Sequence, residues 1–125
     1  SSNVRILAHD ASTVKAGTHT KIGVVKIGNN VFIGADSIVL CNIRIGDNVI
    51  IGAGSVVTND IPSDSVYAGN PAKFLCSFSE FQSKHLKNLE TKPYFSEHRW
   101  DEWENASEEE WQEMRKRLES TFGYV

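Results

Sequence analysis

Six β-branched residues stand at intervals of six: Ile27, Ile33, Val39, Ile45, Ile51 and Val57. Neither common element has that period. An amphipathic helix repeats apolar residues at three and four positions, a half-buried strand at two. Glycine follows four of the six, as Gly28, Gly34, Gly46 and Gly52. Three positions after each apolar residue comes Asn30, Asp36, Asn42, Asn48, Gly54 and Asp60. Those residue types best tolerate positive φ, so each hexad reads as a short strand followed by a sharp corner. The next column, Val31, Ser37, Ile43, Val49, Ser55 and Ile61, is small or β-branched and suits a confined interior. A corner every six residues excludes a flat sheet. A run of hairpins with Asn/Asp turns would not hold one register across six repeats. The pattern predicts a solenoid of short parallel strands round a narrow core, its coils about 4.8 Å apart.

Composition separates this region from the rest. Residues 1–73 are rich in Ile, Val and Gly and carry six Lys/Arg against five Asp/Glu. Residues 74–125 carry seven against eleven, with all three Trp and one Gly. The net charge of −3 gives no reason to expect nucleic acid or a membrane surface as partner. No apolar run approaches the ~20 residues of a spanning helix. Cys41 and Cys76 form no CxxC and no metal spacing. A disulfide between them stays open, but two reduced thiols fit the cytoplasmic location expected here.

The hexad register fails before Ile27. Ile22-Gly23 resembles a hexad start but lies five residues early, and "ASTVKAGTHTK" (residues 11–21) is polar and has no register. We read a loop leaving the solenoid at about residues 10–21, and loops on rigid scaffolds often carry function. "ILAHDAS" just before it puts His9 where the chain departs. On residue type alone, His9 is a surface histidine at a loop edge.

The pattern [Ile/Val]-Gly-x-x-[small or Val]-x resembles the hexapeptide repeat of left-handed parallel β-helix acyltransferases. "IGNNVFIG" (residues 27–34) after a histidine-bearing loop is similar to the sugar O-acetyltransferases of that family, of the galactoside, maltose and capsule type. "IGAGSVVTNDIPSDSVYAGNPAKFL" (residues 51–75) resembles the family's closing segment. The resemblance covers about residues 5–76. It implies a left-handed parallel β-helix over residues 1–73, three hexads to a coil, with residues 74–125 as a helical C-terminal extension. The handedness comes from the family, since ordinary parallel crossovers are right-handed.

The implied reaction moves an acetyl group from acetyl-CoA directly to a sugar or surface-polysaccharide hydroxyl in a ternary complex. The resemblance places His9 as general base. A neutral imidazole suits that task because its unperturbed pKa is about 6.5. Asp10 either orients the ring or is a solvated loop residue. Family alignment puts Ala35, Ala53 and Thr58 along the coenzyme groove, where small residues admit the pantetheine arm. Asn59 stands where many relatives have Lys. Lys73 matches the basic residue of the closing segment and is the expected phosphate contact. Phe32 either walls the acceptor pocket or packs between coils or subunits. Relatives implicate a homotrimer with sites between subunits. A short solenoid gives an independent reason for assembly, because its narrow core buries little.

Other readings are open on the residues. N-acetyl transfer to an amino or nucleotide sugar is the nearest alternative, and a noncatalytic β-helix scaffold is another. Serine acetylation fits less well, because the usual helical N-terminal region is absent. The γ-class carbonic anhydrases share such a solenoid but need three zinc-binding histidines. Here only His9 and His19 lie in the solenoid half, with His85 and His98 in the tail, so no metal is expected. His19 reads as a solvated loop residue and Cys41 as a small core or corner residue. With His9 so near the first residue, the chain reads as unusually short or as a fragment.

The tail shows helical signals. Ser107 and Glu110 form a capping box ahead of a helix over residues 107–120. Trp111, Met114 and Leu118 share one face of it, and Gly123 lies beyond its end. A second helix is expected from about Phe78 to Leu89, with Trp100 and Trp103 in the segment between.

Overall fold

Each expected corner between Asn30 and Gly54 turns through the left-handed region. Asn30, Asp36, Asn42 and Asn48 have φ between 52° and 63°, and Gly54 has φ 67°. Between the corners lie strands of only two or three residues. The computed structural model describes residues 1–96 and 102–125. Its strands are β1 (Arg5–Ile6), β2 (His9–Asp10), β3 (Lys21–Ile22), β4 (Lys26–Ile27), β5 (Val31–Ile33), β6 (Ile38–Val39), β7 (Arg44–Ile45), β8 (Val49–Ile51), β9 (Val56–Val57), β10 (Ser65–Ala68) and β11 (Lys73–Ser77).

Pairing shows how the chain winds. Lys26 pairs with Arg44, Val31 with Val49 and Ile38 with Val56, all in parallel. Each partner lies 18 residues on, so three hexads bring the chain back to the same sheet. The three sheets run β1-β6-β9, β4-β7 and β5-β8-β10-β11. Only the β10–β11 pair within them is antiparallel, and it closes the third sheet.

The inward column fills the core. Val39, Ile45, Ile51 and Val57 are buried, as are Ile43, Val49 and Ile61 from the neighbouring column. Ile27 is 40% exposed because β4, like β1 and β5, is the outermost strand of its sheet. Ser37 and Ser55 are fully buried, which is tolerated only if their hydroxyls are bonded. Both hydroxyls donate to Gly52 O, and Ser55 Oγ accepts Gly69 N–H at 3.1 Å.

Two further interactions lock coil to coil. Asn30 Nδ2 donates to Asn48 Oδ1 and Asn48 Nδ2 to Asp64 Oδ1, both at 2.9 Å. The corner residues thus form a side-chain ladder along the solenoid. The glycine after the apolar residue serves close approach: a Cβ on Gly28 would lie 2.7 Å from the Gly46 backbone of the next coil.

One expectation fails. Asp60 does not take positive φ; that conformation falls to Asp64, at φ 58°. The last coil is two residues short: Ile45 bridges to Ile61 and Val49 pairs with Ser65, each 16 residues on. Asp60 instead accepts Arg44 N–H at 2.7 Å, so its carboxylate satisfies the first N–H of β7, one coil back.

The chain divides into two compact units, Ser1–Phe81 and Gln82–Val125. Helix α1 (Phe78–Leu89) spans the division, and α2 (Glu108–Leu118) lies in the second unit. The capping box is formed: Ser107 Oγ accepts Glu110 N–H, and the Glu110 carboxylate accepts Ser107 N–H at 2.7 Å. Glu108–Glu110 occupy the first turn of α2 and Arg115–Arg117 the last, each sign opposing the helix dipole. Phe95, Trp103 and Met114 form the second unit's core, flanked by Trp111 and Leu118. Trp100 and His98 lie outside the described residues. Among those described, no helix is long and apolar enough to cross a membrane. Both cysteines are free, Cys41 buried and Cys76 half-buried.

The ladder makes Asn48 sensitive to substitution in two separable ways. Asn48→Ala loses both side-chain hydrogen bonds and places an alanine at φ 52°. Together these are expected to cost about 2–4 kcal/mol. Asn48→Gly relieves the backbone strain and is expected to cost about half as much. Chemical denaturation of both variants checks this; equal losses would show that the backbone conformation contributes nothing.

Candidate active site

The one long interruption of the coils lies between β1 and β4. Arg5 pairs with Ile38, 33 residues on rather than 18, an excess of 15. The surplus is extruded at a corner. The chain leaves after Leu7, whose N–H still bonds Val39 O at 2.9 Å, and β2 then pairs antiparallel with β3. His9 lies opposite Ile22 and Asp10 opposite Lys21. His9 therefore sits in the stem of the loop, exposed to solvent.

Beyond the stem the loop is a 3-10 helix, Ala11–Ala16. Asp10 caps it, its Oδ1 accepting Ser12 N–H at 2.8 Å. Gly17 ends it at φ 76°, a conformation that glycine adopts without Cβ strain. Hydrogen bonds from Ser12, side chain first and backbone second, hold the Asp10 carboxyl below the ordinary 3.8; Lys21 and then His9 add smaller electrostatic pulls. The carboxylate is engaged with the helix it caps. Thr13 joins the two arms: its Oγ1 lies 2.7 Å from His19 O and 3.2 Å from Asp10 O, and accepts Lys21 N–H at 3.2 Å. No sequence pattern distinguishes Thr13 from the loop's other hydroxyls, Ser12, Thr18 and Thr20.

The remaining candidates fall into separate places. Ala35 and Ala53 lie at the corner between the third sheet and the first, in successive coils; Gly54 N–H bonds Ala35 O at 2.8 Å. The closing segment reaches the same corner, where Val56 N–H bonds Gly69 O and Ala72 N–H bonds Val56 O. Lys73 follows, exposed at the start of β11. Thr58 and Asn59 occupy the next corner, joined by a 3.0 Å bond from Asn59 Nδ2 to Thr58 Oγ1. The His9 loop leaves from that same corner two strand spacings away, roughly 10 Å along the axis. Phe32 is on the third sheet, 56% exposed, and pairs with Ile50. One chain thus keeps His9 and Asp10 apart from Ala35, Ala53 and Lys73, with a whole sheet between the two corners. Among the described residues no three His, Cys, Asp or Glu side chains are grouped as a metal site would need.

Residues 25–59 match the family described as bacterial transferase hexapeptide, six repeats. The matched residues run from just before β4 to just after β9. Over 64 residues the chain is 55% identical to Protein CapG of Staphylococcus aureus, covering 51% of this chain and 37% of CapG. A maltose O-acetyltransferase from Clostridium difficile is 42% identical with TM-score 0.55, over 60% of this chain and 42% of that one. An N-acyltransferase from Bacillus cereus, solved with coenzyme A and dTDP-4-amino-4,6-dideoxyglucose, is 27% identical with TM-score 0.54. That match covers 70% of this chain and 55% of the other. The chain described here thus spans 37–55% of these relatives' lengths.

The capped Asp10 carboxylate ties loop order to pH. Its folded pKa is depressed, so its contribution is present above 3.8 and is lost as pH falls through the lower folded value. The Ser12 amide proton resonance is expected to titrate with a midpoint below 3.8. Asp10→Asn should abolish that titration. A midpoint at or above the ordinary value would mean the cap does not form in solution.

Proposed function

We propose that this protein is an acetyltransferase that moves an acetyl group from acetyl-CoA to a sugar hydroxyl, with His9 as general base. The observation that carries this reading is His9 in the stem of a loop extruded from a hexapeptide repeat. The similarity to the maltose O-acetyltransferase supports the O-acetyl chemistry. Coenzyme A in the Bacillus cereus neighbour supports the donor. We take the winding to be left-handed, as in the family.

In the proposed reaction His9 accepts the acceptor hydroxyl's proton as its oxygen attacks the thioester carbonyl. His9 is exposed in the loop stem, where an acceptor can reach it. Collapse of the tetrahedral intermediate breaks the C–S bond, and the imidazolium returns its proton to the departing thiolate. Ala35 and Ala53 leave room beside one corner for the pantetheine arm, and Lys73 offers a charge to a phosphate. Asn59, standing where many relatives have Lys, makes the next corner less basic. Asp10 acts by capping the loop beside His9. Phe32 presents an aromatic surface for the acceptor.

The separation of His9 from Ala35, Ala53 and Lys73 supports a site completed by another copy of the chain. A cyclic trimer brings the His9 corner of one subunit to the Ala35–Ala53 corner of the next and leaves no open surface. Sedimentation should then give three times the 13.9 kDa chain mass. A monomer that transfers acetyl groups would refute the shared site.

N-acyl transfer to an amino sugar is the second reading, favoured by the nucleotide-sugar complex of the Bacillus cereus neighbour. A screen of acetyl-CoA consumption against sugars and amino sugars separates the two. On the substrate so found, His9→Ala is expected to lower kcat by roughly 10²-fold or more while acetyl-CoA binding is kept. Near-full kcat in that variant would remove His9 from the mechanism.

A further inference from the structure

The extruded loop has no core of its own. None of the residues in its helix is buried, and of residues 11–20 only Thr13 is even half-buried. Its stem is two residue pairs, and an isolated two-stranded ribbon is marginal in water. Its 3-10 helix runs six residues, longer than such helices usually persist. The loop's shape therefore depends on hydrogen bonds rather than on apolar burial.

Those bonds converge on one residue. The Thr13 hydroxyl carries one proton, and the shorter contact, 2.7 Å to His19 O, takes it. The same oxygen accepts Lys21 N–H at 3.2 Å. Both partners lie on the returning arm, whereas Thr13 belongs to the outgoing one. Its carbonyl receives the Thr18 hydroxyl at 2.8 Å, which closes the tip of the loop onto the same residue. Lys21 is the register partner of Asp10, and the next pair along the stem is His9 with Ile22. The Thr13 clamp thus sits one pair from the imidazole.

We propose that Thr13 is a positioning residue: its hydroxyl ties the two arms of the loop together and so fixes His9 in the stem. The inference rests on His9 being the base of the proposed reaction. The Asp10 side chain hydrogen-bonds within the outgoing arm, through Ser12, whereas the Thr13 hydroxyl reaches across to the returning arm.

Two substitutions test this. Thr13→Val is near-isosteric and removes only the hydroxyl; Thr13→Ser keeps it. Lys15 lies inside the loop, so tryptic cleavage after Lys15 reports loop opening without any turnover. Thr13→Val is expected to be cleaved about tenfold faster and to lose about tenfold in kcat, the scale set by one ordinary hydrogen bond. Its KM for acetyl-CoA should stay within about twofold of the parent, because Ala35, Ala53 and Lys73 lie at another corner and Thr58 and Asn59 lie roughly 10 Å along the axis. Thr13→Ser should restore both cleavage rate and kcat. Parent-like cleavage or parent-like kcat in Thr13→Val would overturn the role. Retained kcat in His9→Ala is a different result: it removes the base, while the cleavage comparison still decides whether Thr13 holds the loop.

Discussion

A strand of two residues can turn a sharp corner only if the residue at the corner accepts positive φ. Asparagine and aspartate supply that residue at Asn3, Asn30, Asp36, Asn42, Asn48 and Asp64. Without those corners the β-branched residues between them would extend into one long strand, and the core would not close. The corners also do more than bend the chain. Their side chains bond one another from coil to coil, so a conformation that is locally unfavourable for most residues becomes a cross-link. The buried column of Val39, Ile45, Ile51 and Val57 then packs in register.

The solenoid and its loop are held by different forces. The coils combine apolar burial with backbone pairing on both sides of each inner strand. The loop has neither, and its order comes from a cap, a clamp and a two-pair stem. The scaffold fixes where the loop departs, and a few polar contacts hold the loop's two arms together.

Much of the scaffold was legible because its signal is local. A six-residue period needs no knowledge of distant contacts, and neither does the Ser107–Glu110 capping box. The departure of the chain near His9 was legible as a loss of that period. Asp60 was misread for the opposite reason. It occupies the expected corner column, but the last coil closes after 16 residues, and only pairing across coils reveals that. Thr13 was invisible because its importance lies in contacts with His19 and Lys21, which depend on how the loop folds back. The division of the candidate residues between two corners was likewise hidden. Sequence order says nothing of which of three sides a residue faces until the coil length is known.

The 18-residue return makes position along this chain equivalent to an angle. Six residues are one third of a revolution, so gaining or losing a single hexad would rotate everything downstream onto the neighbouring side. Eighteen would add or remove a whole turn and leave every orientation as before. The chain nonetheless carries two departures from that rule, the 15 extra residues between β1 and β4 and the two missing before Ile61. Both are absorbed at corners, and the strands on either side keep their phase. Corners are thus the only points where this architecture tolerates arbitrary changes of length, and the histidine-bearing loop has grown from one of them.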